Sequence, residues 1–296
     1  MTNRLTKDME TNSLQGNEVM FLKNNTLSQF NFRVKPAEIA PVIDKMRAIT
    51  EAYIRRSHLR SLVLGISGGV DSAFAAALLE PVCESVGIPL IGRSITIETN
   101  RQDEIDRSLA VGKAFCSQFE YVDLTALYLH HKAALPDLQD DMLSKLRMGN
   151  CKARMRMMLL YDLAQQHGGM VIATDNFTEY LTGFWTLHGD VGDFAPFIHL
   201  WKTEVYAACR YLCQSLDAVR REALLSCVEA VPTDGLGISR SDLEQLGVPD
   251  YGEVDRIFWA YFNGDTSLEN HPLIQRYLRS EYKRHNPFYI ERNELL

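Results

Sequence analysis

The stretch Leu62-Val63-Leu64-Gly65-Ile66-Ser67-Gly68-Gly69-Val70-Asp71-Ser72 limits what this chain can fold into more than any other. Residues 60–66 are short, apolar and rich in β-branched side chains, the pattern of a strand buried in a parallel sheet. Residues 73–79 read as a helix. A chain that passes from strand to helix through two glycines leaves backbone N–H groups unpaired at the positive end of the helix dipole. That junction is a ready anion site. Gly68 and Gly69 lack a Cβ, so a phosphate can approach the backbone, and Ser67 and Ser72 add hydroxyl donors. Asp71 would repel a phosphate, but it fits if a Mg²⁺ lies between them. The sequence contains no G-x-x-x-x-G-K-[ST] string, so this is not a Walker loop. A glycine turn capped by serine and aspartate is the simpler reading of the same residues.

The segments that follow repeat the strand-to-helix step. Residues 89–97 read as a second strand, 103–115 as a helix, 119–124 as a third strand and 170–174 as another. This rhythm predicts an α/β fold with a doubly wound parallel sheet, whose ligands sit at the carboxyl ends of the strands. A helix is expected from Pro36 toward Arg56, with Ile39, Val42, Ile43, Met46 and Ile49 on its inner face. Residues 137–148 and 152–167 read as two helices separated by Gly149-Asn150, the second with an apolar stripe of Met155, Met158, Leu159 and Leu163. Asp175-Asn176 caps a helix that carries Glu179. Residues 183–199 form a long glycine-rich loop with acids and aromatics, a pattern often tied to function. Helices are expected again over 202–212, 241–246, 251–262 and 272–284, with a flexible stretch at 231–239. Residues 1–30 are polar and read as an N-terminal arm, leaving 31–296 as a single domain.

The net charge of −7 provides no general field for nucleic acid, so anionic substrates would need local clusters of arginine and lysine. No apolar run approaches about 18 residues, and the polar N-terminus does not read as a signal peptide. With six cysteines and no C-x-x-C, free thiols in a cytoplasmic protein are expected. Cys209 and Cys213 would share a helix face and pack in the core, while His130-His131 reads as a surface pair.

Ser67-Gly68-Gly69-Val70-Asp71-Ser72 resembles the S-G-G-x-D-S pyrophosphate loop of the N-type ATP pyrophosphatases, which cleave ATP between the α and β phosphates. Later segments are similar to one branch, the NAD synthetases. Gly149-Asn150-Cys151-Lys152-Ala153-Arg154-Met155-Arg156-Met157 resembles G-N-x-x-A-R-x-R-M. Thr174-Asp175 with Glu179 resembles T-D-x-x-x-E, and Thr182-Gly183-Phe184-Trp185-Thr186 resembles T-G-[FY]-[FY]-T. Leu200-Trp201-Lys202-Thr203-Glu204-Val205 is similar to L-x-K-T-x-V, Pro232-Thr233 to P-[ST], and Lys283-Arg284 to a terminal H-K-R. These matches run in order from about residue 60 to 287.

The resemblance implies an adenine nucleotide alpha-hydrolase-like fold and ATP-dependent amidation of deamido-NAD by ammonia, through an acyl adenylate. It assigns ATP to Gly65, Ile66, Ser67, Gly68, Gly69, Val70, Asp71, Ser72, Thr174, Lys202 and Thr233. It assigns Mg²⁺ to Asp71 and Glu179, and deamido-NAD to Arg154, Asp193 and Lys283. Asp71, Lys202 and Asp193 would carry the catalytic roles, and a homodimer is implied. Only about 60 residues precede the loop strand and no cysteine lies in a nucleophile context, so ammonia is expected free or from a separate protein. The chain also departs from the family pattern. Leu187 stands where the pattern has a lysine, Tyr282 where it has a histidine, and Arg93-Ser94-Ile95 where it has R-L-P. The loop 187–193 is one residue shorter. A different carboxylate acceptor, or an inactive nucleotide sensor, is the alternative reading.

Overall fold

The computed structural model describes residues 34–98, 100–232, 241–292 and 295. Among these, four parallel strands form one sheet in the order β3-β2-β1-β4: β1 (Leu62–Gly65), β2 (Leu90–Thr96), β3 (Gln118–Asp123) and β4 (Met170–Val171). β1 pairs with β2 through Val63↔Ile91 and Gly65↔Arg93, and with β4 through Val63↔Val171. Alternate residues of β1 face opposite layers. Leu62 and Leu64 join a core that includes helices α1 (Ile39–Arg56), α2 (Val70–Val86), α3 (Gln102–Phe115), α7 (Lys202–Leu212) and α8 (Ala218–Val228). Val63 faces Met157, Leu160 and Leu163 of α5 (Met142–His167), which follows α4 (Thr125–Ala133). The doubly wound reading of the sequence therefore holds.

A second core lies beyond the carboxyl edge. It packs α6 (Phe177–Thr182) against α10 (Tyr251–Phe262) and α11 (Pro272–Arg279), around Leu181, Val254, Phe258 and Tyr277. The short α9 (Asp242–Leu246) and α12 (Glu281–Arg284) complete this end. The expected helix over 272–284 is in fact two, with Ser280 between them.

Several local expectations need correction. Gly149-Asn150 does not break a helix, because α5 runs 26 residues through it. The helix-interior penalty of glycine is about 1 kcal/mol, small enough for tertiary contacts to offset. One such contact is the Thr186 hydroxyl donating to Asn150 Oδ1 at 2.7 Å. Met158 is 68% exposed, and Met157 and Leu160 take the inward places beside Met155 and Leu163. Ile49 is exposed and Thr50 buried in its place. β4 has only two residues. Its pairing is continued by residues 193–194, where Asp193 N donates to Val171 O at 2.8 Å and Ala173 N to Phe194 O at 2.9 Å.

Cys209 and Cys213 are free thiols in the first core, and His130 and His131 are exposed, as expected. Among the described residues no helix is long and apolar enough to cross a membrane. The arm over residues 1–30 lies outside the described residues.

Candidate active site

The β1–α2 junction forms the turn that the sequence predicts. Ser67 Oγ accepts from Gly69 N at 3.2 Å and lies 3.0 Å from Ser72 Oγ. Ser72 Oγ accepts from Ser67 N and donates to Gly69 O, both at 3.2 Å. The two serines thus brace the turn from inside. Gly68 has φ +84°, and a Cβ there would lie 2.3 Å from the carbonyl oxygen of Glu104. Only glycine fits that backbone. Gly69 caps α2 with no side-chain hydrogen bond, so no capping side chain takes up the first-turn amides. Gly65 and Ile66 lead into the turn, and Val70 begins the helix. Arg107 of α3, which the sequence reading did not single out, donates from Nε to Gly68 O at 3.0 Å and holds Asp103 at 2.9 Å. Its only sequence signal is a basic residue on the helix after β2.

Three helix starts converge beside this turn. Asp71 lies in the first turn of α2, Glu179 in the first turn of α6, and Lys202 is the first residue of α7. Lys202 Nζ donates to Glu179 Oε1 at 2.9 Å and to Asp71 Oδ2. Asn176 Nδ2 donates to Asp71 Oδ1 at 2.9 Å. Asn176 also caps α6, accepting from Glu179 N at 3.1 Å, while its own N–H reaches Glu179 Oε2 at 3.2 Å. This capping box fixes both Asp71 and Glu179.

Electrostatics follow from burial. Lys202 is 3% exposed. Burial opposes its charge, but Asp71 and Glu179 outweigh it and hold the ammonium pKa well above its ordinary value. Burial, helped by the Asp71 charge and opposed by Lys202, raises Glu179 to about 7. Asp175, next to the half-buried Thr174, is pushed well up by burial and then by Glu179, Asp190 and Asp71. Asp71 and Glu179 already share one cation, the Lys202 ammonium, so their donor set fits a Mg²⁺. Among the described residues no group of three or more His, Cys, Asp or Glu could hold a metal. Two carboxylates with phosphate oxygens is the usual magnesium arrangement.

The residues expected to meet the second substrate cluster on the loop after α6. Arg154 Nε donates to Leu187 O at 3.2 Å. Lys283 Nζ donates to Gly183 O at 2.7 Å and to Trp185 O, with its ammonium 5.4 Å from the Trp185 ring centroid. Trp185 stacks on Tyr180 at 6.1 Å. Thr186 N donates to Asp190 Oδ2 at 2.6 Å. Leu187 is half-buried and Tyr282 exposed. Asp193 is not brought to the Asp71–Glu179–Lys202 cluster. Its Oδ2 accepts from Val171 N at 3.1 Å, so it caps the open edge of a two-residue strand. Thr233 lies outside the described residues. Arg156, in the same motif as Arg154, anchors the end of β2 through Ile95 O at 3.1 Å and Asn100 Oδ1 at 3.0 Å.

A family model described as NAD synthase matches residues 42–287. The chain is 32% identical over 281 residues to the NH(3)-dependent NAD(+) synthetase of Exiguobacterium sibiricum, covering 84% of this chain and 93% of that protein. Among solved structures it is similar to NMN synthetase from Francisella tularensis, with TM-score 0.69 and 25% identity over 88% of this chain and 99% of that one. NH3-dependent NAD synthetase from Campylobacter jejuni shares the fold, with TM-score 0.66 and 21% identity over 86% of this chain and 99% of that one.

Proposed function

This chain belongs to the NAD synthase family, and from that premise we propose that it amidates deamido-NAD to NAD with ammonia, converting ATP to AMP and pyrophosphate. One observation carries this reading of the site: Asp71, Glu179 and Lys202 meet beside the uncapped first turn of α2. A carboxylate cannot be amidated directly, because oxide leaves poorly. The nicotinate oxygen forms a bond to the α-phosphorus as the bond to the pyrophosphate oxygen breaks. Ammonia then bonds to the acyl carbon, a proton is lost, and AMP leaves with the electron pair. No side-chain nucleophile is needed.

The chain's own residues position and neutralise. The first-turn amides of α2, residues 70–72, donate to phosphate oxygens beside the turn of Ser67, Gly68 and Gly69, with Gly65, Ile66 and Thr174 shaping the pocket. Lys202 supplies a desolvated cation to the α-phosphate. Asp71 and Glu179 would hold Mg²⁺, which when bound supplies charge neutralisation on the leaving pyrophosphate. Arg154 and Lys283 receive the second substrate. Asp193 serves this reading as a structural cap, in place of the catalytic role inferred from sequence.

The test is a coupled assay with ATP, Mg²⁺ and deamido-NAD, comparing ammonium chloride with glutamine. NAD formed with ammonium supports the reading; AMP formed without NAD rejects this acceptor. A second acceptor, nicotinate mononucleotide, belongs in the same assay. It is favoured by the likeness to an NMN synthetase and by Leu187, which removes a cation from the acceptor loop.

The same reading includes residues 31–296 as one domain, a cytoplasmic setting, and ammonia drawn free or from a separate protein. It also includes pairing of two copies. The support for pairing is the run of exposed apolar side chains on α4 and α5: Leu127, Leu129, Met142, Leu143, Leu146 and Met158.

A further inference from the structure

Lys202 is held at two ends by one helix, α10. At the tip, the Lys202 ammonium lies 5.6 Å from the Tyr251 ring centroid. At the root, the Lys202 backbone N–H donates to Thr178 Oγ1 at 3.0 Å. The Thr178 hydroxyl donates in turn to Asp255 Oδ1 at 3.5 Å. The other Asp255 oxygen accepts from the hydroxyl of Thr203, the residue after Lys202, at 2.6 Å. Tyr251 and Asp255 are four apart and share a helix face. Asp255 is fully buried, and Thr178 is 1% exposed.

A buried carboxylate is costly unless its oxygens are satisfied. Here they are satisfied by two threonines from the two helices that carry Glu179 and Lys202. The proton order follows from the donors. Both hydroxyls point their protons at the carboxylate, which leaves a Thr178 lone pair free to receive the Lys202 N–H. A neutral amide in place of the carboxylate would present a donor to one threonine, reverse that hydroxyl and loosen one link.

We propose that Asp255 is a positioning residue that locks the start of α7 through Thr178 and Thr203, so that Lys202 reaches Asp71 and Glu179 in one fixed pose. A reacting site needs such a supporting layer, because a cation misplaced by an ångström loses most of its effect. The catalytic consequence rests on the reading that Lys202 acts on the nucleotide. The positioning itself does not.

The experiment is lysine labelling without substrates. Wild type, Asp255→Asn and Thr203→Val are treated with limiting acetic anhydride, and acetylation is read peptide by peptide by mass spectrometry. Lys152 is the internal reference, since it is equally buried and pairs with Glu98 at 3.1 Å in a separate part of the molecule. Asp255→Asn is expected to raise Lys202 labelling about tenfold, one lost buried hydrogen bond, with Lys152 unchanged. Thr203→Val gives a smaller rise and carries the same readout if the asparagine variant does not fold. In turnover, kcat falls about tenfold in Asp255→Asn while KM for ammonia holds. Unchanged Lys202 labelling overturns the proposal. So does a parallel rise at Lys152, which marks Asp255 as a general stabiliser. Neither outcome depends on which carboxylate the protein amidates.

Discussion

The half of the site that we assign to the nucleotide and the half that we assign to the acceptor satisfy their charges in opposite ways. In the nucleotide half, charges answer each other: Lys202 bridges Asp71 and Glu179 at three converging helix starts. The two carboxylates gain from the positive helix ends, whereas Lys202 sits at an end that disfavours it and is held there by the carboxylates. In the acceptor half, Arg154 and Lys283 answer backbone carbonyls of residues 183, 185 and 187. A phosphate or carboxylate arriving there competes with the loop itself. The first half is preorganised, and the second must exchange partners to bind.

Four outcomes would break or sharpen this contrast. The largest is Asp71→Asn, expected to cut pyrophosphate release about a thousandfold with the circular dichroism spectrum unchanged. Retained turnover would remove Asp71 from the nucleotide half. Next is a pH effect on the metal-free protein in chelator. Burial raises Glu179 to about 7 from 4.5, so the folded state holds this proton more tightly than the unfolded chain. Its stabilisation is complete below pH 4.5 and lost as pH rises through 7. The urea midpoint of wild type should therefore fall as pH rises across that window, relative to Glu179→Gln. Parallel curves would show that Lys202 fully compensates Glu179.

Third, Leu187→Lys should lower KM for deamido-NAD about fivefold by returning a cation to the acceptor loop. An unchanged KM would place the acceptor away from Leu187. The smallest is Asp193→Ala, which removes the acceptor of the Val171 N–H and should cost about 1 kcal/mol of stability, with kcat within about twofold. A large kcat loss would return Asp193 to the chemistry.

The legibility of the sequence follows the same division. Gly68, Gly69, Asp71 and Ser72 are adjacent in sequence, and their geometry comes from local backbone rules, so the turn could be read before any contact was known. β1 and β2 were legible because they are buried apolar runs. Asp193 is ambiguous in the sequence because an acid in a glycine-rich loop looks the same whether it meets a substrate or a strand edge. Gly149-Asn150 misled because local propensity cannot register the Thr186 contact that holds the helix together. Nothing local announces that Arg107 reaches Gly68 or that Asp255 reaches Thr178 and Thr203; these partners are distant in the chain, and only packing reveals them.

The makeshift fifth strand at residues 193–194 gives the molecule a built-in reporter. The amide protons of Val171 and Ala173 are shielded by Asp193 Oδ2 and Phe194 O, both supplied by the far end of the acceptor loop. Deuterium uptake at these two amides therefore follows the docking of that loop and not the opening of the sheet. A ligand that tightens the loop should slow their exchange while leaving Leu62 and Leu64, deep in the same sheet, as they were.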